Sequence, residues 1–154
     1  MTTPTPSTAS RRMASSRFKS KLTDGIAYTF ILLFTYASIR VLADYPMFVR
    51  EVYTLTVFEP VKWGYALICV LELCTVIALI VPRFRLAGFI LTFIVMMIVT
   101  IASLIVLINA PLIPHLFGGI FPHVDFWGHL YINIFLLFVS LVALLLFLQP
   151  GKKI

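Results

Sequence analysis

Four long apolar stretches divide the chain, and nearly all of its charged residues lie between these stretches or at the two ends of the chain. The apolar stretches cover residues 25–43, 63–82, 86–110 and 129–149. Each has about 20 residues, and a helix of that length, at about 1.5 Å per residue, crosses the hydrocarbon of a bilayer. The pattern predicts four membrane-spanning helices and leaves no room for a separate soluble catalytic domain.

The segments between the spans predict how the helices connect. Residues 82–85 form a tight basic turn that returns the third span antiparallel to the second. Residues 44–62 are charged at both ends and apolar in the middle, and Pro46 and Pro60 suit the start and end of a helix. We therefore expect a short extracytoplasmic surface helix between the first and second spans.

The two ends of the chain carry much of its positive charge. Residues 1–23 are rich in Ser, Thr and Pro and hold five basic residues without an acid, so we expect a disordered basic tail. Residues 150–154 form a second basic tail. The predicted fold class is an all-α membrane protein, with residues 24–149 forming a four-transmembrane-helix antiparallel bundle.

Composition excludes several other classes. The chain is 61% hydrophobic and 12% charged, against roughly half and a quarter in soluble domains. Its net charge of +6 raises the question of nucleic acid binding. The basic residues, however, lie at the ends of the spans and do not form one amphipathic face, so we predict a lipid bilayer as the partner and no nucleic acid.

The distribution of Lys and Arg predicts the orientation. Nine of the 12 lie in the N-terminal tail, the 82–85 turn and the C-terminal tail, whereas Arg50 and Lys62 lie on the other side and Arg40 lies within a span. The positive-inside rule then places both termini in the cytoplasm. The loops 44–62 and 111–128 face outward.

Glu72, near the middle of the second span, is the first candidate for a functional residue. An acid at that depth costs several kcal/mol unless it is paired, hydrogen-bonded, protonated or facing water. Arg40 lies about 7 to 8 Å from it along the membrane normal, so we predict a pair or a polar pocket shared with Asn133, His129 and Tyr36. Two interpretations stay open, a functional carboxyl and a structural one that locks helices together.

The loop before the last span has the most unusual chemistry, but its spacing matches no established set of metal ligands, and we predict no metal site. The two cysteines, Cys69 and Cys74, are expected to be small apolar side chains within the second span. The candidates for binding a partner at the outer loop are His115, Gly118, Gly119, His123, Asp125 and Trp127.

Three groups of residues resemble motifs of MauE/DoxX-like membrane proteins. The first is Ser38-Ile39-Arg40 followed by Asp44 and Phe48, and the second is Leu71-Glu72-Leu73 in a span that ends at Pro82-Arg83. The third is the Gly118-Gly119 loop followed by Trp127, His129 and Asn133. The resemblance covers roughly residues 25–149. It implies a four-helix protein of the bacterial inner (cytoplasmic) membrane that assists maturation or electron transfer of an extracytoplasmic partner.

One departure from that family pattern changes the expected chemistry. Similar proteins carry cysteines just before the Gly-Gly pair, where this chain has His115-Leu116-Phe117. We therefore expect a non-catalytic accessory subunit that docks a membrane or extracytoplasmic protein and binds no cofactor. The alternatives are a quinone-linked oxidoreductase subunit with Glu72 and His129 as proton relays, and a small transporter or channel around Glu72, completed by homo-oligomerisation.

Overall fold

A computed structural model of the chain describes residues 8–43, 61–109 and 126–148. Within these ranges the protein consists of four α-helices and one short 3-10 turn, with no strand. The helices are α1 (Thr8–Ala43), α2 (Val61–Ile80), α3 (Arg85–Asn109) and α4 (Phe126–Leu148). The predicted all-α class is confirmed.

The helices have the length and composition of a membrane bundle. Arg17–Ala43, Pro82–Ile105 and Trp127–Leu148 are long and apolar enough to cross a membrane, and α2 contributes the shorter apolar stretch Leu67–Ile80. As a whole α2 has 20 residues, which rise about 30 Å and match the hydrocarbon thickness. The observed helices begin and end within three residues of the predicted second, third and fourth spans.

Each helix packs against the neighbours that precede and follow it in the chain, and α1 also contacts α4. This closes the four helices into one bundle. Two aromatic contacts lie within it, Phe30 with Phe34 at 5.7 Å and Phe89 with Phe147 at 5.4 Å between ring centroids. The buried apolar core comprises Ala27, Phe30, Phe34, Val76, Leu79, Phe89, Val95, Met96 and Ala143.

A tight turn joins α2 to α3 at the predicted place. Val81 has extended backbone geometry, as the residue before a proline prefers, and Pro82–Phe84 forms a single 3-10 turn. The Phe84 N–H donates to the Val81 carbonyl oxygen at 2.9 Å. Because the turn is this short, α3 returns antiparallel along α2.

The backbones of α2 and α3 approach each other closely at Gly88. A Cβ atom placed there would lie 2.9 Å from the backbone nitrogen and Cδ2 of Leu79 and 3.0 Å from the carbonyl carbon of Ala78. Real Cβ atoms essentially never show contacts under 3.0 Å. Gly88 therefore permits a separation between α2 and α3 that no larger residue would allow.

The N-terminal segment differs from the sequence prediction. Helix α1 begins at Thr8, so residues 8–23 are helical where a disordered tail was expected. Residues 8–22 contain neither Pro nor Gly, and a helix already formed by the span can extend through them at little cost. The predicted surface helix over 44–62 falls largely on residues 44–60, which lie outside the described residues, as does the C-terminal tail 150–154.

Candidate functional site

Glu72 lies on the face of α2 that points into the bundle. The buried residues of this helix recur at intervals of three and four, which places them on one side of an α-helix. Only 7% of the Glu72 residue surface is exposed. The carboxyl group therefore faces neighbouring helices, and not the lipid. The other members of this face are Cys69, Thr75, Val76 and Leu79.

The partner of Glu72 is Ser38 of α1. Ser38 follows Phe30 and Phe34 at steps of four residues, and all three side chains are buried on the face of α1 that meets the bundle. The Ser38 hydroxyl donates a hydrogen bond to Oε2 of Glu72 at 2.9 Å. This contact joins α1 to α2 at a position where both residues are buried.

The Ser38–Glu72 contact can act in two ways. As an interhelical hydrogen bond it satisfies part of the hydrogen-bonding capacity of a buried carboxyl and fixes the rotation of α1 against α2, a contribution of about 0.6 to 2 kcal/mol in membrane proteins. In a chemical role, the carboxyl group that accepts this hydrogen bond would take up and release a proton. The first role needs only a residue that accepts a hydrogen bond from Ser38, whereas the second needs the carboxyl group itself.

Arg40 lies two residues beyond Ser38, about 200° around the same helix, and is partly buried. Its backbone position therefore faces away from the side of α1 that carries Ser38. Tyr36 is 42% exposed. The predicted Arg40–Glu72 pair stays a prediction, because the hydrogen bond that the structure shows for the Glu72 carboxyl comes from Ser38.

Asn133 takes part in a second polar contact, between α3 and α4. Its side-chain amide donates to Oγ of Ser103 at 3.1 Å, and the Ser103 hydroxyl donates to the Val99 carbonyl oxygen at 2.8 Å. Counted along the helices from the contact of Gly88 with Leu79, Ser103 lies about 12 Å further from the turn than Glu72 does. Asn133 and Glu72 thus have different partners at different depths.

The remaining candidates fall into two groups. His129 is buried, 9% exposed, one helical turn before Asn133, and Trp127 is 55% exposed at the start of α4. His115, Gly118, Gly119, His123 and Asp125 lie outside the described residues, so partner binding by that loop stays a prediction. In the part of the chain that the structure describes, no three His, Cys, Asp or Glu side chains come together as a metal site.

Comparison with known protein families shows to which family the chain belongs. The sequence model of the family described as methylamine utilisation protein MauE matches residues 19–147. That range includes the apolar part of α1 and nearly all of α2 to α4. The chain belongs to the MauE family. No curated protein sequence and no solved structure gives a significant match.

Membership of the MauE family confirms one half of the predicted resemblance, and the DoxX-like half stays a prediction. Within this MauE-family chain the two cysteines are both free and both lie on α2. Cys69 is buried in the bundle, whereas Cys74 lies on the outer side of the helix. They are five residues apart and face different sides of the helix, so the two thiols cannot readily form a disulfide with each other.

Sequence reasoning missed Ser38 and Ser103 as partners of the polar residues within the spans. Serine is common in membrane helices, and its hydroxyl can bond to its own helix, so its presence alone does not predict a contact between helices. One signal was available for Ser38, because it continues the spacing of Phe30 and Phe34 toward the core. That spacing identifies an inward-facing hydroxyl, although it does not say which helix receives the hydrogen bond.

Proposed function

We propose that this MauE-family chain is a non-catalytic accessory protein that supports maturation or electron transfer of an extracytoplasmic redox partner, without thiol chemistry of its own. The observation that carries the proposal is the position of the two cysteines, one buried in the bundle and one on the outer side of α2. Thiol–disulfide exchange needs a thiolate that can meet an incoming disulfide. Neither cysteine, within an apolar span, can supply such a thiolate. The proposed role requires no cofactor bound to this chain.

We further propose that the protein lies in the inner (cytoplasmic) membrane with both termini in the cytoplasm. Arg85, at the start of α3, forms an ion pair with Asp24 of α1 at 2.7 Å. This contact puts the N-terminal side of the first span at the same end of the bundle as the basic 82–85 turn. The positive-inside rule assigns that end to the cytoplasm and the segment 111–128, which contains the candidate docking residues, to the outside.

Reporter fusions test this orientation. A phosphatase that is active only outside the cytoplasm is expected to be active when fused after residue 118 and inactive when fused after residue 84. A fluorescent protein that folds only in the cytoplasm is expected to give the reverse pattern. Phosphatase activity at residue 84 together with fluorescence at residue 118 would contradict the proposed orientation, because it would place the basic turn outside.

The accessory role predicts that a chain without cysteine remains functional. In the source organism, a strain that lacks the gene is complemented with the wild-type chain or with the Cys69→Ala/Cys74→Ala variant, and growth on methylamine is measured. We expect the variant to restore growth to within about twofold of wild type, because neither thiol takes part in exchange. The redox state and activity of the secreted partner enzyme provide the second readout.

Two controls make this result interpretable. The Cys69→Ser/Cys74→Ser variant keeps a small polar group at both positions, and immunoblotting of membranes shows whether each variant accumulates normally. Loss of growth in both cysteine-free strains at normal abundance would contradict the proposal, since it would assign a chemical role to a thiol. A deletion strain that matures its secreted redox enzymes and grows on methylamine normally would also contradict it.

A further inference from the structure

One end of the bundle presents an exposed set of positive side chains next to the membrane. Arg17, Lys19 and Lys21 on α1 and Arg83 in the turn between α2 and α3 are all exposed, and we refer to them as the basic cluster. The ion pair between Asp24 and Arg85 holds α1 and the turn together at this end. The basic cluster is therefore contributed by two separate parts of the chain.

The described residues at this end include few acids that could offset the charge of Arg17, Lys21 and Arg83. Asp24 is the only acid in residues 1–43, and residues 81–109 contain none. The Asp24 carboxylate is engaged by Arg85 at 2.7 Å. The exposed side chains Arg17, Lys21 and Arg83 are all positive, which fits a partner that carries several negative charges.

The positions of Arg17 and Lys21 along α1 indicate what that partner is. The 20 residues from position 24 to 43 rise about 30 Å, which is the thickness of the hydrocarbon. Lys21 then lies about 5 Å, and Arg17 about 10 Å, beyond the edge of the hydrocarbon along the helix axis. These distances are comparable to the Debye length of about 8 Å at physiological ionic strength, so both charges act on the headgroup layer.

Apolar residues beside the cluster support contact with a bilayer. Phe18 is 68% exposed, and it lies on the same side of α1 as Leu32, which is 72% exposed toward lipid. Lys21 lies seven residues before Tyr28, again on this outward side. Phe84, in the turn beside Arg83, is 54% exposed. A soluble partner would not require this continuation of the lipid-facing surface.

We propose that the basic cluster binds the phosphate groups of anionic phospholipids at the surface of the bilayer. Arg17, Lys21 and Arg83 provide the charge, and Phe18 and Phe84 contact the adjoining acyl chains. This interaction is independent of the redox partner, because it uses the opposite end of the bundle from the outer loops. It adds a preference for lipid type to the orientation that the same charges favour.

The test measures lipid selectivity of the purified full-length chain in vesicles of phosphatidylcholine with about a third phosphatidylglycerol. Spin-labelled phosphatidylglycerol and spin-labelled phosphatidylcholine are the two probes, and the result is the ratio of their association constants. Each basic residue near an anionic surface is worth about fivefold in binding, so we expect the wild-type chain to favour phosphatidylglycerol by at least about fivefold. A wild-type ratio near one would overturn the proposal.

Variants and salt separate the cluster from other sources of selectivity. The Arg17→Gln/Lys21→Gln/Arg83→Gln variant is expected to lower the ratio by at least about fivefold. The Arg50→Gln/Lys62→Gln variant, which removes two basic residues from the opposite side, is expected to leave the ratio unchanged. Equal losses in both variants would overturn the assignment to the basic cluster.

If the triple variant does not fold, about 1 M salt applied to the wild-type chain replaces it, since this salt shortens the Debye length to about 3 Å. A preference that survives this salt, or one that inorganic phosphate abolishes at constant ionic strength, would also overturn the proposal.

Discussion

Replacing Gly88 by alanine is expected to lower the free energy of unfolding by about 1–3 kcal/mol, the usual cost of overpacking a well-packed contact. The added Cβ atom would lie 2.9 Å from the backbone nitrogen of Leu79 and 3.0 Å from the carbonyl carbon of Ala78. Backbone atoms cannot rotate away as a side chain can, so α2 and α3 must separate. The measurement is thermal or denaturant unfolding of the purified protein in a mild detergent.

Gly25 offers a matched control for this substitution. It also lies within a helix, and a Cβ atom placed there meets nothing within 4 Å. Both variants gain the same helix propensity, about 0.5–1 kcal/mol for Gly→Ala in a helix interior. The difference between them therefore isolates the contact of α3 with α2. Equal stabilities of Gly88→Ala and Gly25→Ala would show that the helices are further apart than the structure places them.

A second comparison distinguishes backbone from side-chain contact at Gly88. If only Cδ2 of Leu79 were displaced, adding Leu79→Ala to Gly88→Ala would relieve the clash. We expect no relief, because the backbone nitrogen of Leu79 remains in place after that substitution. Full recovery of stability relative to Leu79→Ala alone would assign the whole effect to a flexible side chain.

The arrangement of the spans could be predicted because each depends on local information. A run of about 20 apolar residues is sufficient to indicate a transmembrane helix, and Pro82 marks the turn between two of them. The prediction for residues 1–23 weighed their composition as an isolated segment, whereas a helix extends from the span that adjoins it. Extension adds one hydrogen bond for each residue fixed and avoids the unfavourable nucleation step.

The contacts between helices could not be predicted with the same success. The depth of Glu72 indicates that it needs a partner, and charge complementarity pointed to Arg40. The partner that the structure shows is Ser38, two positions earlier and on a different side of α1. Which side of α1 meets α2 depends on the packing of Phe30 and Phe34 in the core, and that packing is a property of the whole bundle. The role of Gly88 is likewise visible only once the separation of two helices is known.

The two interhelical polar contacts have a common consequence for the proposed accessory role. Ser38 with Glu72 joins the first two helices, and Ser103 with Asn133 joins the last two. Lipid provides little hydrophobic driving force for helix association, so such contacts and close packing help to select one arrangement of the bundle. A protein that only presents its outer loops to a partner depends on this rigidity, since the ends of the helices position those loops.

The Ser38–Glu72 pair should accordingly behave as a structural contact. Removing the Ser38 hydroxyl while keeping the Glu72 carboxyl is expected to lower the stability of the protein substantially. Ser38→Ala leaves a buried carboxyl without the donor seen in the structure, and the expected loss of stability is about 1–3 kcal/mol. Glu72→Gln keeps the length of the side chain and an oxygen that accepts from Ser38, so its stability is expected to stay within about 1 kcal/mol of wild type. Unfolding in detergent measures both.

A double substitution separates the loss of a favourable contact from the cost of an unsatisfied group. Ser38→Ala/Glu72→Leu removes donor and acceptor together, and it is expected to be more stable than Ser38→Ala alone because no buried polar group is left without its partner.

Growth on methylamine then distinguishes the two interpretations of Glu72. We expect Glu72→Gln to restore growth, since the proposed accessory role needs the hydrogen bond and not the proton. A Glu72→Gln protein that folds with wild-type stability and abundance but supports no growth would instead assign the carboxyl a chemical role.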